Sequence, residues 1–222
     1  MDLTPALVLS MWTAGLAAGG AAVVWWRIVG PGYTWLVAGV VAAMAAFAGA
    51  AGGGAGAWLG LVAALAAGIA ARRAEWSAGA FAVGAAGLAA AAWTDSPIAL
   101  VFTGALFAGG VTSEMLLGHW YLVDPRLPRW ALHRLALAGG VGLLADAGIV
   151  IGRLVTSGNQ SDAVFGWAYL ALAVMTGLLI LGVWFSLKEP SYTGVMAATG
   201  LSYLAVLTAL GTLVVGRLVA YG

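Results

Sequence analysis

Four residues stand out as able to do chemistry. They are the two histidines, His119 and His133, and two carboxylates embedded in apolar sequence, Glu114 and Asp146. Imidazole titrates near neutrality and serves as a proton carrier, a hydrogen-bond donor or a metal ligand. An ionised carboxylate at the centre of a bilayer costs at least about 2.5 kcal/mol, so one in apolar sequence is protonated, paired or hydrated. Trp120, Tyr121 and Arg134 lie beside the histidines in the chain. Glu114, His119, Trp120, Tyr121, His133 and Arg134 together supply a donor to a carbonyl oxygen, a proton source, aromatic walls and a local positive potential. That is the set a quinone head group needs near a membrane interface, where shifted protonation equilibria have a use.

The spacing says how these groups are positioned. Thirteen residues, 120–132, separate the histidines. In cytochrome b helices two histidines on one continuous helix bind two different hemes. Here Pro125 and Pro128 intervene, ending one helix and resetting the chain for the next. His119 then lies about four residues before one helix end and His133 about four after the next start, each about 6 Å inside the boundary at 1.5 Å per residue. In an antiparallel hairpin with axes about 8–10 Å apart the two rings are level. They are placed to share a ligand, including one heme iron, or to flank the mouth of a pocket. Glu114 lies deeper, about 13 Å in. It shares a helix face with Tyr121, whereas His119 lies about 140° round the helix. Asp146 sits at the far end of the following helix, and Arg153, seven residues on along the same face, is the expected partner.

The elements that carry these residues follow from composition. The chain has 222 residues, 63% hydrophobic and 8% charged, against about 25% charged in a soluble domain. So few charges cannot cover a water-facing surface. A bilayer core of about 30 Å needs about 20 apolar residues per helix. Breaks at charged, proline or glycine clusters predict eight spans: 5–29, 33–51, 55–71, 76–93, 98–122, 130–154, 163–187 and 193–219. The fold class is all-α, a polytopic membrane bundle forming one transmembrane domain over 1–222. Gly52 to Gly54 allow an alternative, a break inside a re-entrant pair. The sequence carries no convincing internal repeat. Residues 1–93 have no charge in the middle of a span, Arg27 lying near the end of the first, so the first half reads as packing surface or lipid filler.

Basic residues near helix ends set the orientation. Arg27, Arg72, Arg73, Arg126, Arg129, Arg134 and Lys188 fall on one side, and Arg153 and Arg217 on the other. Seven against two places the first side in the cytoplasm of a bacterial-type inner membrane and both termini outside. Trp and Tyr near the predicted ends form interfacial belts. Asn159-Gln160-Ser161 fits a three-residue glycosylation pattern on the outer side.

Several functions are excluded. There are no cysteines, hence no disulfide, thiolate metal site or Cys nucleophile. The net charge of +1 implies no nucleic-acid partner. Glycine-rich nucleotide loops, His-Glu-x-x-His helices and Gly-x-Ser-x-Gly elbows are all missing. The loops are too short for a soluble catalytic domain, so enzyme activity of the chain alone is not expected. In architecture only, the chain resembles the quinone-facing anchor subunits of bacterial respiratory complexes. The working expectation is an accessory or quinone-interacting subunit of a redox complex, with lipid and other membrane subunits as partners. The alternatives are a cofactor-free scaffold, a transporter- or channel-like subunit, and a single b-heme cytochrome ligated by His119 and His133.

Overall fold

A computed structural model describes residues 3–157 and 162–221. The Asn159-Gln160-Ser161 pattern lies outside the described residues. Among the described residues the chain is helical with no strand, in eight helices: α1 Pro5–Trp25, α2 Pro31–Ala50, α3 Gly54–Ile69, α4 Ala74–Asp95, α5 Ile98–Tyr121, α6 Arg129–Ser157, α7 Asp162–Ser186 and α8 Tyr192–Tyr221. Seven are long and apolar enough to cross a membrane, and α3, with 16 residues, is shorter. Large apolar side chains such as Phe47, Ile69, Leu144 and Trp167 are exposed on the outside of the bundle. This is a multi-pass membrane protein whose outer surface is made for lipid.

Local chemistry explains the breaks. Pro5 and Pro31 occupy first-turn positions, where a missing N–H costs nothing, and Thr4 Oγ1 accepts from Leu7 N at 3.2 Å as the cap of α1. α1 stops earlier than expected, because Arg27 takes a left-handed φ of 56°. Gly52 and Gly54 have φ of +100° and +60°, values a side chain resists. They turn the chain tightly from α2 into α3, a helix in its own right.

The packing divides the bundle into two rings. In α1–α4 each helix packs on the next in sequence and α4 returns to α1; in α5–α8 the same order recurs, with α8 returning to α5. The halves thus share a topology that the sequence does not reveal. They meet chiefly where α1 lies against α5. Gly15 and Gly19 face Gly109 and Ser113 in the same order, so the two helices run parallel. A Cβ on Gly15 would collide with the backbone of Ala105, and one on Gly109 with that of Gly15. Only small residues allow so close a crossing. Trp12 Nε1 donates to Thr112 Oγ1 across this seam at 2.7 Å. α4 and α5 barely touch, although only Ser96-Pro97 joins them.

The loops sort to two ends. Arg27 pairs with Glu75, and Trp26 packs edge-on to Trp130 with centroids 5.0 Å apart. Arg129 donates to the backbone oxygens of Glu189, Pro190 and Ser191. These contacts gather the links after α1, α3, α5 and α7 at one basic end. At the other end, the terminal end, Tyr221 donates to Ser96 and Arg153 Nη1 donates to Ala220 O at 2.6 Å.

Candidate functional site

Glu114 lies on the most enclosed stretch of α5 and faces α8. It is buried at 3% exposure. Its Oε2 is in hydrogen-bond contact with Ser202 Oγ, which also reaches Ala198 O at 2.8 Å. A hydroxyl has one hydrogen to give. When it goes to Ala198, the usual fourth-residue-back bond of a helical serine, the contact with Glu114 needs a proton on the carboxyl. Glu114 Oε1 has no hydrogen-bond partner among the described residues. Gly118 opens the space beside it, since a Cβ there would stand 3.8 Å from Oε1 and 2.9 Å from Thr199 Oγ1.

His119 is exposed on the outer side of the same α5–α8 seam. Its Nδ1 lies 2.9 Å from Tyr203 OH, one residue on from the Ser202 that touches Glu114. With Tyr203 donating to Nδ1, a neutral ring carries its proton on Nε2 and can give it to an acceptor. The seam therefore holds an enclosed carboxyl and an exposed imidazole of α5, each contacted by one of two adjacent residues of α8, Ser202 and Tyr203.

The other four expected site residues go elsewhere. Trp120 packs edge-on to Tyr33 of α2 with centroids 6.2 Å apart, and Tyr121, buried, lies 6.4 Å from Tyr192. His133 packs against Trp184 of α7 at 4.7 Å, and its Nδ1 has no partner among the described residues. Arg134 lies over the rings of Trp130 and Trp26, at 4.6 and 5.9 Å. Successive helical residues point 100° apart, so residues 119, 120 and 121 meet different neighbours. The level hairpin was expected to let both imidazoles share a ligand or flank the mouth of one pocket. Instead each ring engages a different helix. Among the described residues no group of three or more His, Asp or Glu is arranged to hold a metal ion.

The partner expected for Asp146 is corrected. Arg153 binds the carbonyl of Ala220, and Asp146 is instead gripped by Arg217 of α8. Nη2 and Nη1 donate to its two oxygens at 2.7 and 3.1 Å, and Thr103 Oγ1 donates to Oδ1 at 2.8 Å. Both charged side chains are fully buried. Nη2 also donates to Leu100 O at 2.8 Å and lies 3.3 Å from Met11 Sδ. The cluster ties α1, α5, α6 and α8 together near the terminal end. Arg217 Nε and the OH of buried Tyr169 have no partner among the described residues. The signal in the sequence was charge balance, since Arg217, like Asp146, falls inside a long apolar helix and needs a counter-ion.

In comparison with known proteins, no family model, no curated protein and no solved structure matches the chain. What the fold defines is a class, the helical multi-pass membrane proteins. Among the described residues, the α5–α8 seam and the Asp146–Arg217 cluster hold the buried carboxylates and the buried cation.

Proposed function

We propose that the chain is a subunit of a larger redox complex in a bacterial-type inner membrane, its basic end cytoplasmic, and that the α5–α8 seam serves a quinone. The observation that carries this reading is the state of Glu114: enclosed at membrane depth, held through one oxygen by Ser202, and bare at the other. An intramembrane carboxyl is costly and marks function by default. His119 Nε2 would hydrogen-bond a quinone carbonyl arriving through the lipid, with Tyr203 fixing the ring, and Glu114 would exchange the proton. Electrons would come from partner subunits. Tyr121 would take no direct part, since it meets α8 at Tyr192, ten residues before Ser202, and neither would Trp120, His133 and Arg134, which pack against other helices. A heme between the two histidines is disfavoured for the same reason.

A scaffold reading has one observation in its favour. Four of the six expected residues tie helices together at the basic end (Trp120 to Tyr33, Tyr121 to Tyr192, His133 to Trp184, Arg134 to Trp26). The two readings part in one experiment. The parent complex is purified from native membranes with the wild-type chain, His119→Ala or Glu114→Gln, and quinone content and turnover are measured. A quinone site requires His119→Ala to lose most of the bound quinone, and Glu114→Gln to keep the quinone but slow turnover. Unchanged content and turnover in both variants refute the quinone site and leave the scaffold.

A further inference from the structure

Because α4 turns away from α5, a groove of about 660 Å³ opens between them, floored by α1 and walled on the far side by α5 and α6. Its surface is almost wholly apolar, with small residues along two sides, Ala14, Ala18 and Ala22 from α1 and Ala86 and Ala90 from α4. Gly15 faces Gly109, so Ile98, eleven residues before Gly109, is level with the start of α1. Trp26, at the other end of the groove, lies some 22 residues further along, a rise of about 33 Å. A long, apolar groove of this kind suits an extended alkyl chain.

One cation closes the basic end. Arg134 lines the groove there and rests on Trp130 and Trp26. Among the described residues it has no carboxylate partner, unlike Arg27, which pairs with Glu75 at the same end, and Arg126, which pairs with Asp124. Stacking on two indoles holds the guanidinium without neutralising it. An unneutralised guanidinium at the interface end of a long apolar groove is complementary to an anionic head group above a hydrocarbon tail.

We infer that this groove binds an anionic phospholipid from the leaflet at the basic end. Its phosphate lies on Arg134, and one acyl chain runs down α1 from Trp26 toward Ala14. That run is twelve residues, about 18 Å, close to the half-thickness of a bilayer core of about 30 Å. This site is separate from the α5–α8 seam and does not depend on the quinone reading.

The test is lipid titration of the purified full chain, read by native mass spectrometry, with dioleoyl phosphatidylglycerol against dioleoyl phosphatidylcholine. The two share their chains and differ in charge. The expected result is one tightly held phosphatidylglycerol, preferred over phosphatidylcholine by about 5-fold, the scale of one basic side chain at a membrane surface. Arg134→Gln should abolish the preference and Arg134→Lys should keep most of it. Ala86→Phe, which fills the groove from an exposed position, should weaken both lipids several-fold. Ala171→Phe, on an exposed face of α7, should change neither. Equal binding of the two lipids by the wild-type chain would mean ordinary boundary lipid and overturn the inference. So would a phosphatidylglycerol preference that survives Arg134→Gln, or a neutral isoprenoid or a protein chain retained in the groove and released by Ala86→Phe.

Discussion

Asp146→Asn removes one charge from the buried cluster at almost constant shape. Arg217 would keep its bond to Leu100 O at 2.8 Å and its contact with Met11 Sδ, but lose the carboxylate that holds both terminal nitrogens. Charge centres about 4 Å apart at an effective dielectric of about 20 attract by about 4 kcal/mol. Breaking a buried pair by removing one member costs about 3–5 kcal/mol, because the other charge stays behind. For a chain of this length about 2–4 °C of melting temperature goes with each kcal/mol. The expected fall is therefore about 6–20 °C, read as loss of the monodisperse peak after heating in detergent. Arg217→Met should fall similarly. The double variant Asp146→Leu with Arg217→Met should recover most of the loss, since an apolar pair of similar volume replaces an ion pair at little or no cost. The reasoning fails if either single variant shifts by less than about 2 °C, or if the double variant loses the sum of the two single losses.

Other expectations are simpler. Gly109→Ala should cost about 1–3 kcal/mol by forcing α1 and α5 apart, whereas Gly39→Ala, with open space around it in α2, should be neutral or gain up to about 1 kcal/mol; heating in detergent reads both. Glu75→Ala should change stability by less than about 1 kcal/mol, since its pair with Arg27 is largely exposed and water screens it. The absence of cysteines makes sidedness easy to check: with the basic end cytoplasmic, Thr94→Cys in intact cells should react with an impermeant maleimide and Arg126→Cys should not. The opposite labelling pattern would invert the orientation.

The helix framework was legible because it is written in residue types. Pro31, Gly52 to Gly54, Arg72-Arg73 and Pro97 each break a run of apolar residues, and a membrane span tolerates few other ways to stop. The burial of Glu114 was legible for the same reason. Glu114 and His119 also differ in the fold, the carboxyl being enclosed and the ring exposed. What spacing did not disclose is which neighbour each side chain meets. Depth along a hairpin placed His119 and His133 level, but azimuth sent one ring to Tyr203 and the other to Trp184. Asp146 and Arg153 share a helix face, yet α6 runs on to Ser157 and carries Arg153 up to the carbonyl of Ala220, leaving Asp146 to a cation 71 residues away. The closeness of α1 and α5 was invisible for a different reason. Among 34 glycines, nothing in the sequence marks Gly15 and Gly109 as the pair that touches.

That same separation sets a clock on biogenesis. Ribosomes add about 5–20 residues per second, so the 71 residues between Asp146 and Arg217 take about 4–14 s to make. Throughout that interval α6 is already emerging while its counter-ion does not yet exist. The nascent chain must shelter a lone acid in the translocon or carry it protonated. The clasp on Leu100 and Met11 closes only when the last helix arrives, so the first helix waits for the eighth before its environment is complete.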